Sequence, residues 1–419
     1  MSEAGNRPVV IVGGGIAGLS CALYLQKLGI PFRLFEADEK VGGRVQTDMV
    51  EGHLLDRGFQ VYLDAYPETG KLLDLNALQL RKFEPGGLIY RNGTFHRLMD
   101  VFRRPASAFS TLRAPVGTFL DKARVGLLRT KLSMASLERI ASSADQPTES
   151  YLRSLGFSED IIDSFFRAFY GGVFLERDLQ TSSRMFAFTF KMFTHGSATL
   201  PKHGMGEIPK QLARQLAPDS VYCGCAVASV DRDHVRLMDD SRILARAVVV
   251  ATNATAAFDL LGDLGRGEDT RWRPATTLYF SAPESPVDEP IICLNGTGCG
   301  LINNLAVNSD VSSAYAPDGL ALISISVLGK PAVDDLVAAV QLELSAWFGA
   351  KAEKWKHLRT DRIPRALPEQ LPSTHASEST FRYNRGIWIC GDYLSSASIE
   401  GAVISGKQTA EALTGALSS

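Results

Sequence analysis

Apolar positions along the chain fall into runs that alternate between strand and helix habits. Val9-Val10-Ile11-Val12 is an unbroken β-branched run closed by Gly13-Gly14-Gly15. Such a run reads as a strand buried on both faces, as in a parallel sheet. Ile16, Ala17, Leu19, Ala22, Leu23 and Leu25 then follow at helical spacing, and Gly29 is placed to cap the helix. Phe32-Arg33-Leu34-Phe35 predicts a second strand. The apolar stretch Val9 to Tyr24 lies behind Arg7 and has the length of a signal-peptide core, but its glycines argue for strand, turn and helix instead. No other stretch reaches roughly 18 consecutive apolar residues, so no transmembrane helix is expected.

Further along, Leu88 to Phe95 predicts a hairpin turning at Asn92-Gly93. Residues 97–165 are helical in pattern, with breaks at Pro105, Pro115 and Pro147. Strands are expected within Val221–Val230 and Val235–Ala251, and residues 275–330 alternate as strands do, with a turn at Pro317-Asp318-Gly319. Residues 332–349 place Leu336, Val340, Leu344 and Trp347 on one helical face. Ile387 to Ile389 is a last strand before Gly391-Asp392, and a helix opens after Ser398. No repeat and no long linker separates these elements, so the domains must be interwoven.

The glycines after the first strand carry the chemistry. Gly13-Gly14-Gly15-Ile16-Ala17-Gly18 is G-x-G-x-x-G in its strand–turn–helix context. Gly13 permits the tight turn, Gly15 admits a pyrophosphate against the backbone, and Gly18 lets helix and strand pack closely. The helix N-terminus then faces the phosphates. Glu36, at the end of the second strand, is placed to accept hydrogen bonds from a ribose. Gly42-Gly43-Arg44 offers bare backbone and a guanidinium as a second phosphate grip.

Composition narrows the classes without naming one. The chain has 419 residues, 45% hydrophobic and 21% charged, which excludes a disordered chain, and 37 glycines without a G-X-Y period exclude collagen. The net charge of -2 shows no basic excess for nucleic acid. Six cysteines without a C-x-x-C fit a reducing, cytoplasmic setting, and Cys223-Gly224-Cys225 reads as buried thiol in a strand. His195 and His203 are too isolated for a metal site, so none is expected. No G-x-S-x-G elbow points to a serine hydrolase.

Glu36…Gly42-Gly43-Arg44, followed by Asp56-Arg57-Gly58-Phe59-Gln60, resembles the FAD-binding flavoprotein superfamily of amine oxidases, protoporphyrinogen oxidases and carotene desaturases. Leu200 to Met205 resembles its re-entry turn, and Gly391-Asp392…Ser398-Ile399-Glu400-Gly401-Ala402 its C-terminal cofactor segment, closest in wording to plant- and cyanobacterial-type carotene desaturases. The resemblance implies an α/β fold: an FAD-binding Rossmann-like domain (1–75, 200–265, 385–419) interwoven with an α+β substrate domain (76–199, 266–384) carrying a mixed sheet and a helical part. The expected cofactor contacts are Gly13, Gly15, Ile16, Ala17, Gly18, Glu36, Ala37, Gly42, Gly43, Arg44, Gly58, Phe59, Gln60, Val227, Gly391, Asp392, Ile399, Glu400, Gly401 and Ala402. No catalytic residue is assigned.

The resemblance also implies hydride transfer from a C–H or C–N bond to FAD, with O₂ or a quinone as acceptor, because no second G-x-G-x-x-G offers an NAD(P)H site. Without a Ser-Gly-Gly-Cys, the FAD is expected to be non-covalent. Ser398 stands where amine oxidases often place an aromatic residue, and Arg273 to Leu278 holds no lysine, which favours an apolar, isoprenoid- or carotenoid-like small molecule over a small amine. The other readings are an amine oxidase acting on a small amine, and a flavin-dependent non-redox isomerase or a prenyl-protein escort on the same fold. Residues 165–193, with eight of the 21 phenylalanines, read as tunnel lining or as helix-packing core. Residues 97–131 carry a local excess of six positive charges interleaved with Leu and Phe. They read as a peripheral membrane contact or as a solvated helix face.

Overall fold

The structure, a computed structural model, describes residues 7–262, 270–373, 382–384 and 386–418. Val9–Val12 lies inside a six-stranded sheet in the order 221–222, 32–35, 9–12, 247–250, 387–389, 382–384. Its first five strands run parallel and the last pairs antiparallel. Val9, Val10 and Ile11 are fully buried because both faces of the sheet are covered, which explains their unbroken apolar run. One face carries the helices Ile16–Lys27 and Ile399–Ser418, and the other carries a three-stranded antiparallel sheet and the helix Ala254–Leu261. This one sheet collects strands from both ends of the chain and from its middle.

A second, mixed sheet has seven strands in the order 356–368, 272–282, 321–328, 302–307, 292–295, 86–91, 94–99. Only 292–295 and 86–91 pair in parallel. The expected hairpin closes at Asn92-Gly93, both left-handed. Along 321–328, Ile323, Ile325 and Val327 point into a core shared with helix Leu336–Phe348, where Leu336, Val340 and Leu344 are buried. The alternate residues Ser324 and Ser326 point to the opposite face. The helices between residues 108 and 195 form a third core around Phe166, Phe174 and Phe186, and a wide π turn over Ile162–Phe166 interrupts them.

One expectation fails locally. Cys223-Gly224-Cys225 is a turn rather than strand: the strand stops at Tyr222, Gly224 is left-handed, and Cys223 is exposed while Cys225 is half-buried. The Gly224 and Cys225 amides donate to the Asp38 and Glu36 carbonyls, which bends the chain back over the second strand.

The two helices on the first sheet touch through backbone. A Cβ on Gly406 would lie 2.4 Å from the Ala17 carbonyl oxygen and 2.8 Å from the Cys21 nitrogen. Gly406→Ala should therefore cost about 1–3 kcal/mol by overpacking. Gly415→Ala, on the exposed side of the same helix with open space around it, should be neutral or stabilising by up to ~1 kcal/mol. Thermal unfolding of the two variants checks this, with the melting temperature expected to fall only for Gly406→Ala.

Candidate functional site

The parallel strands end on one edge, and the turns leaving that edge line a single continuous cavity of about 1330 Å³. Gly13 follows the first strand with φ +109°, a conformation that glycine adopts freely, and its amide donates to the Phe35 carbonyl at 2.8 Å. A Cβ on Gly18 would sit 2.0 Å from the Gly13 oxygen, so the helix presses directly on the turn. At Gly15 a Cβ would meet no protein atom within 4 Å, because that backbone faces the cavity. The amides of Gly14 and Asp38 fix the buried Glu36 carboxylate at 2.5 and 2.9 Å.

Gly42 and Gly43 fold onto the same turn. The Gly42 amide donates to the Gly14 carbonyl at 2.9 Å. Arg44 pairs with Asp392 at 2.6 Å, although 348 residues separate them, and also donates to the Ala366 carbonyl at 3.1 Å. Gln60 Nε2 donates to the Arg44 and Arg57 carbonyls at 2.8 Å each, which fastens the Gly58–Gln60 stretch to this corner. The Gly391 amide donates to Ser405 Oγ of the last helix at 3.0 Å. Ile16, Ala17, Ala37, Val227, Ile399 and Ala402 join these residues in lining the cavity.

Three expected contacts lie elsewhere. Gly18 packs on Gly13 and does not line the cavity. The Glu400 carboxylate is fully buried and accepts from the Glu68 amide, the Thr69 amide and the Thr69 hydroxyl, tying the last helix to a short turn at 69–71. A Cβ on Gly401 would lie 1.8 Å from the Ser396 carbonyl oxygen, so a neighbouring loop, not the cavity, requires glycine there.

Other lining residues carried no motif. Ala251, Thr252 and Asn253 leave the carboxyl end of strand 247–250, and Cys225 and Ala226 come from the turn described above. Their signal was positional: ligands on such sheets bind at the carboxyl ends of the strands. Thr277, Asn304 and Ser326 come from the mixed sheet and had no sequence signal beyond alternation.

The phenylalanine-rich stretch divides in two. Phe165, Phe169, Phe190 and Phe193 line the cavity, whereas Phe166, Phe174 and Phe186 are buried in the helical core. Residues 97–131 frame the opening. Phe102, Leu112 and Phe119 both line the cavity and remain exposed, and Phe109, Leu120 and Leu127 add exposed apolar surface. The basic excess of this segment is partly neutralised by the pairs Arg97–Glu289 and Arg104–Glu84. Among the described residues, no helix is long and apolar enough to cross a membrane, and no cluster of His, Cys, Asp and Glu could hold a metal.

The chain matches the model of the family described as flavin containing amine oxidoreductase over residues 16–414. It belongs to that family. Members of that family are FAD-dependent oxidoreductases. It is 27% identical over 171 residues to protoporphyrinogen oxidase 2 of Arabidopsis thaliana, covering 40% of this chain and 32% of that protein. It is 34% identical over 101 residues to coproporphyrinogen III oxidase of Bacillus subtilis, covering 22% of each. These two matches therefore span about a third or less of the relatives' length. The 15-cis-phytoene desaturase of Glycine max is 23% identical over 463 residues, covering 97% of this chain and 79% of that one. Two solved structures share the fold. A putative protoporphyrinogen oxidase from Exiguobacterium has a TM-score of 0.73 at 19% identity, covering 97% of this chain and 98% of its own. A putrescine oxidase variant has a TM-score of 0.74 at 16% identity, covering 98% and 99%.

Asp56, on the two-stranded hairpin 47–56, ties that hairpin to the mixed sheet and to the turns at Met205 and Tyr315. It accepts from Thr47 Oγ1 at 2.5 Å, the Met205 amide at 2.9 Å and the Tyr315 hydroxyl at 2.8 Å, while its carbonyl accepts from Tyr279. Burial pushes this carboxyl from 3.8 up to about 6 against those hydrogen bonds. The folded protein thus holds a proton here that the unfolded chain releases near 3.8, and this contribution to stability is lost as pH rises towards 6. Urea unfolding from pH 4 to 6.5 should show the wild type losing stability relative to Asp56→Asn across this window; a pH-independent difference would contradict the assignment.

Proposed function

We propose that this protein holds FAD non-covalently in the cavity and oxidises a C–H bond of an apolar, isoprenoid- or carotenoid-like small molecule, with O₂ or a quinone as final acceptor. The observation that carries the reading is the continuity of the cavity, which runs from Gly13 and Gly15 to the aromatic wall of Phe169 and Phe193 without a partition. The glycine end fits a dinucleotide. Gly15 leaves open the space that a Cβ would fill, and Glu36 is held buried with its carboxylate beside the turn. In this reading Gly13, Gly15, Ile16 and Ala17 receive the pyrophosphate, Glu36 and Ala37 the adenosine ribose, and Val227 packs beside them. Gly42, Gly43 and the Arg44–Asp392 pair flank the phosphates, with Gly391 behind them, while Gly58 to Gln60, Ile399 and Ala402 wall the inner end. Bound there, FAD supplies the hydride acceptor. The division of labour follows, with residues 1–75, 200–265 and 385–419 holding the cofactor and the remainder the substrate.

The substrate half of the proposal rests on the lining. Phe165, Phe169, Phe190 and Phe193 offer an apolar wall that excludes water, and the exposed Phe102, Leu112 and Phe119 give an apolar mouth. A nearly insoluble substrate would be taken up from a bilayer on which this mouth rests, so we place the protein in the cytoplasm as a peripheral membrane enzyme. The relative named as a 15-cis-phytoene desaturase supports the reading. The likeness to putrescine oxidase at 16% identity speaks for fold alone.

Two measurements test the reading. The purified protein should be yellow, acid should release its flavin into the supernatant, and Gly15→Val should lose the flavin by filling the open space; a variant with full flavin content would refute the phosphate turn. Sedimentation with anionic liposomes should carry the wild type down, and Phe109→Ser with Phe119→Ser should leave most of it in solution. Equal sedimentation of both proteins would remove the membrane-fed route.

A further inference from the structure

The mixed sheet adds three neighbouring polar side chains to a stretch of cavity wall otherwise lined by residues such as Ile292, Leu294, Val327 and Ile363. Asn304, Ser326 and Thr277 stand side by side on three adjacent strands, with Asn304 opposite Ser326 and Ser326 opposite Thr277. All three line the cavity and all three are buried. They occupy the face that alternates with the apolar core residues Leu278, Ile325 and Leu305. An apolar substrate alone would leave such a row desolvated without reward, which costs about 1–3 kcal/mol for each unsatisfied group.

The existing hydrogen bonds of this row leave donors over. Thr277 Oγ1 accepts from the Phe59 amide at 3.3 Å. Ser326 Oγ accepts from Asn304 Nδ2 at 3.2 Å, and Asn304 Oδ1 accepts from Asn303 Nδ2 at 3.0 Å. Neither hydroxyl proton is committed to an acceptor among the described residues, and Asn304 Nδ2 keeps a second N–H. Asp361, opposite Thr277 on the next strand, is engaged by Arg359 at 2.7 Å and does not line the cavity. The row is therefore neutral and rich in donors.

We infer that Thr277, Ser326 and Asn304 form a subsite for a carbonyl-type oxygen carried by the otherwise apolar substrate. The inference rests on the apolar-substrate reading and deepens it: the preferred molecule is an isoprenoid-like ketone, aldehyde or ester, not a bare hydrocarbon. The three side chains are neutral, so the row offers an ammonium group no counter-charge. Thr277 lies against the Phe59 amide, next to the expected cofactor stretch, so an oxygen held here is anchored close to that stretch. These are positioning residues.

The test uses the flavin-loaded full chain and two probes of one skeleton, menthone and its parent hydrocarbon menthane, in equilibrium dialysis. Thr277→Val and Ser326→Ala should each weaken menthone by roughly ten-fold and leave menthane unchanged or tighter. Thr277→Ser, which keeps the hydroxyl, should retain menthone affinity. Flavin content, measured on every sample, should stay constant across the set. Loss of flavin from the wild type would refute the cofactor reading and not this one. Unchanged menthone affinity in Thr277→Val and Ser326→Ala, an equal loss for both probes, or no binding of menthone to the wild type would overturn the subsite.

Discussion

The architecture depends on backbone meeting backbone where side chains would keep elements apart. Gly18 allows the first helix to press on the Gly13 carbonyl, so that the helix N-terminus and the strand end share one turn. Gly406 allows the last helix to lie on the first at the same distance scale. These two contacts bring Ile399 and Ala402 to the cavity alongside Gly15, from opposite ends of the chain. A methyl group at Gly406 would push the two helices apart, and one at Gly18 would push the first helix off the Gly13 turn. The Arg44–Asp392 pair and the Gly391 amide on Ser405 then fix that approach from the polar side.

The second sheet solves a different problem. Its two faces serve unlike surroundings, so its strands alternate. Ile323, Ile325 and Val327 fill a core against the helix Leu336–Phe348, and Ser324 and Ser326 face away from it. A strand buried on both faces, like Val9–Val12, has no such alternation. The contrast separates the sheet that leads into the Gly13–Gly18 turn from the mixed sheet that contributes to the cavity wall. Asp56 ties the separate hairpin 47–56 to the mixed sheet, since its partners come from Thr47, the Met205 turn, Tyr315 and Tyr279.

How much of this was legible in the sequence follows the range of the interactions. The turn at Gly13–Gly18 with Glu36, the Asn92-Gly93 hairpin and the helix with Leu336, Val340 and Leu344 are local patterns, and all could be read directly. The cysteines at 223 and 225 misled because a left-handed glycine between them breaks the strand, and the hydrophobic pattern does not register that turn. Glu400 looked like a cofactor residue, but its carboxylate satisfies buried amides at Glu68 and Thr69 more than 330 residues away, a demand that only the folded chain creates. The phenylalanines divided between wall and core according to which side of each helix met the cavity. Thr277, Ser326 and Asn304 were invisible for the same reason, because cross-strand register makes them neighbours.

The central claim is that one slot holds the dinucleotide at the glycine turn and leaves its aromatic end for an apolar substrate. A crystal structure of the purified yellow protein tests it most directly. The account predicts FAD with its pyrophosphate against Gly15, its ribose at Glu36, and open space beside Phe169 and Phe193. Density for the flavin in the aromatic end, or a Gly15 backbone covered by protein, would contradict it.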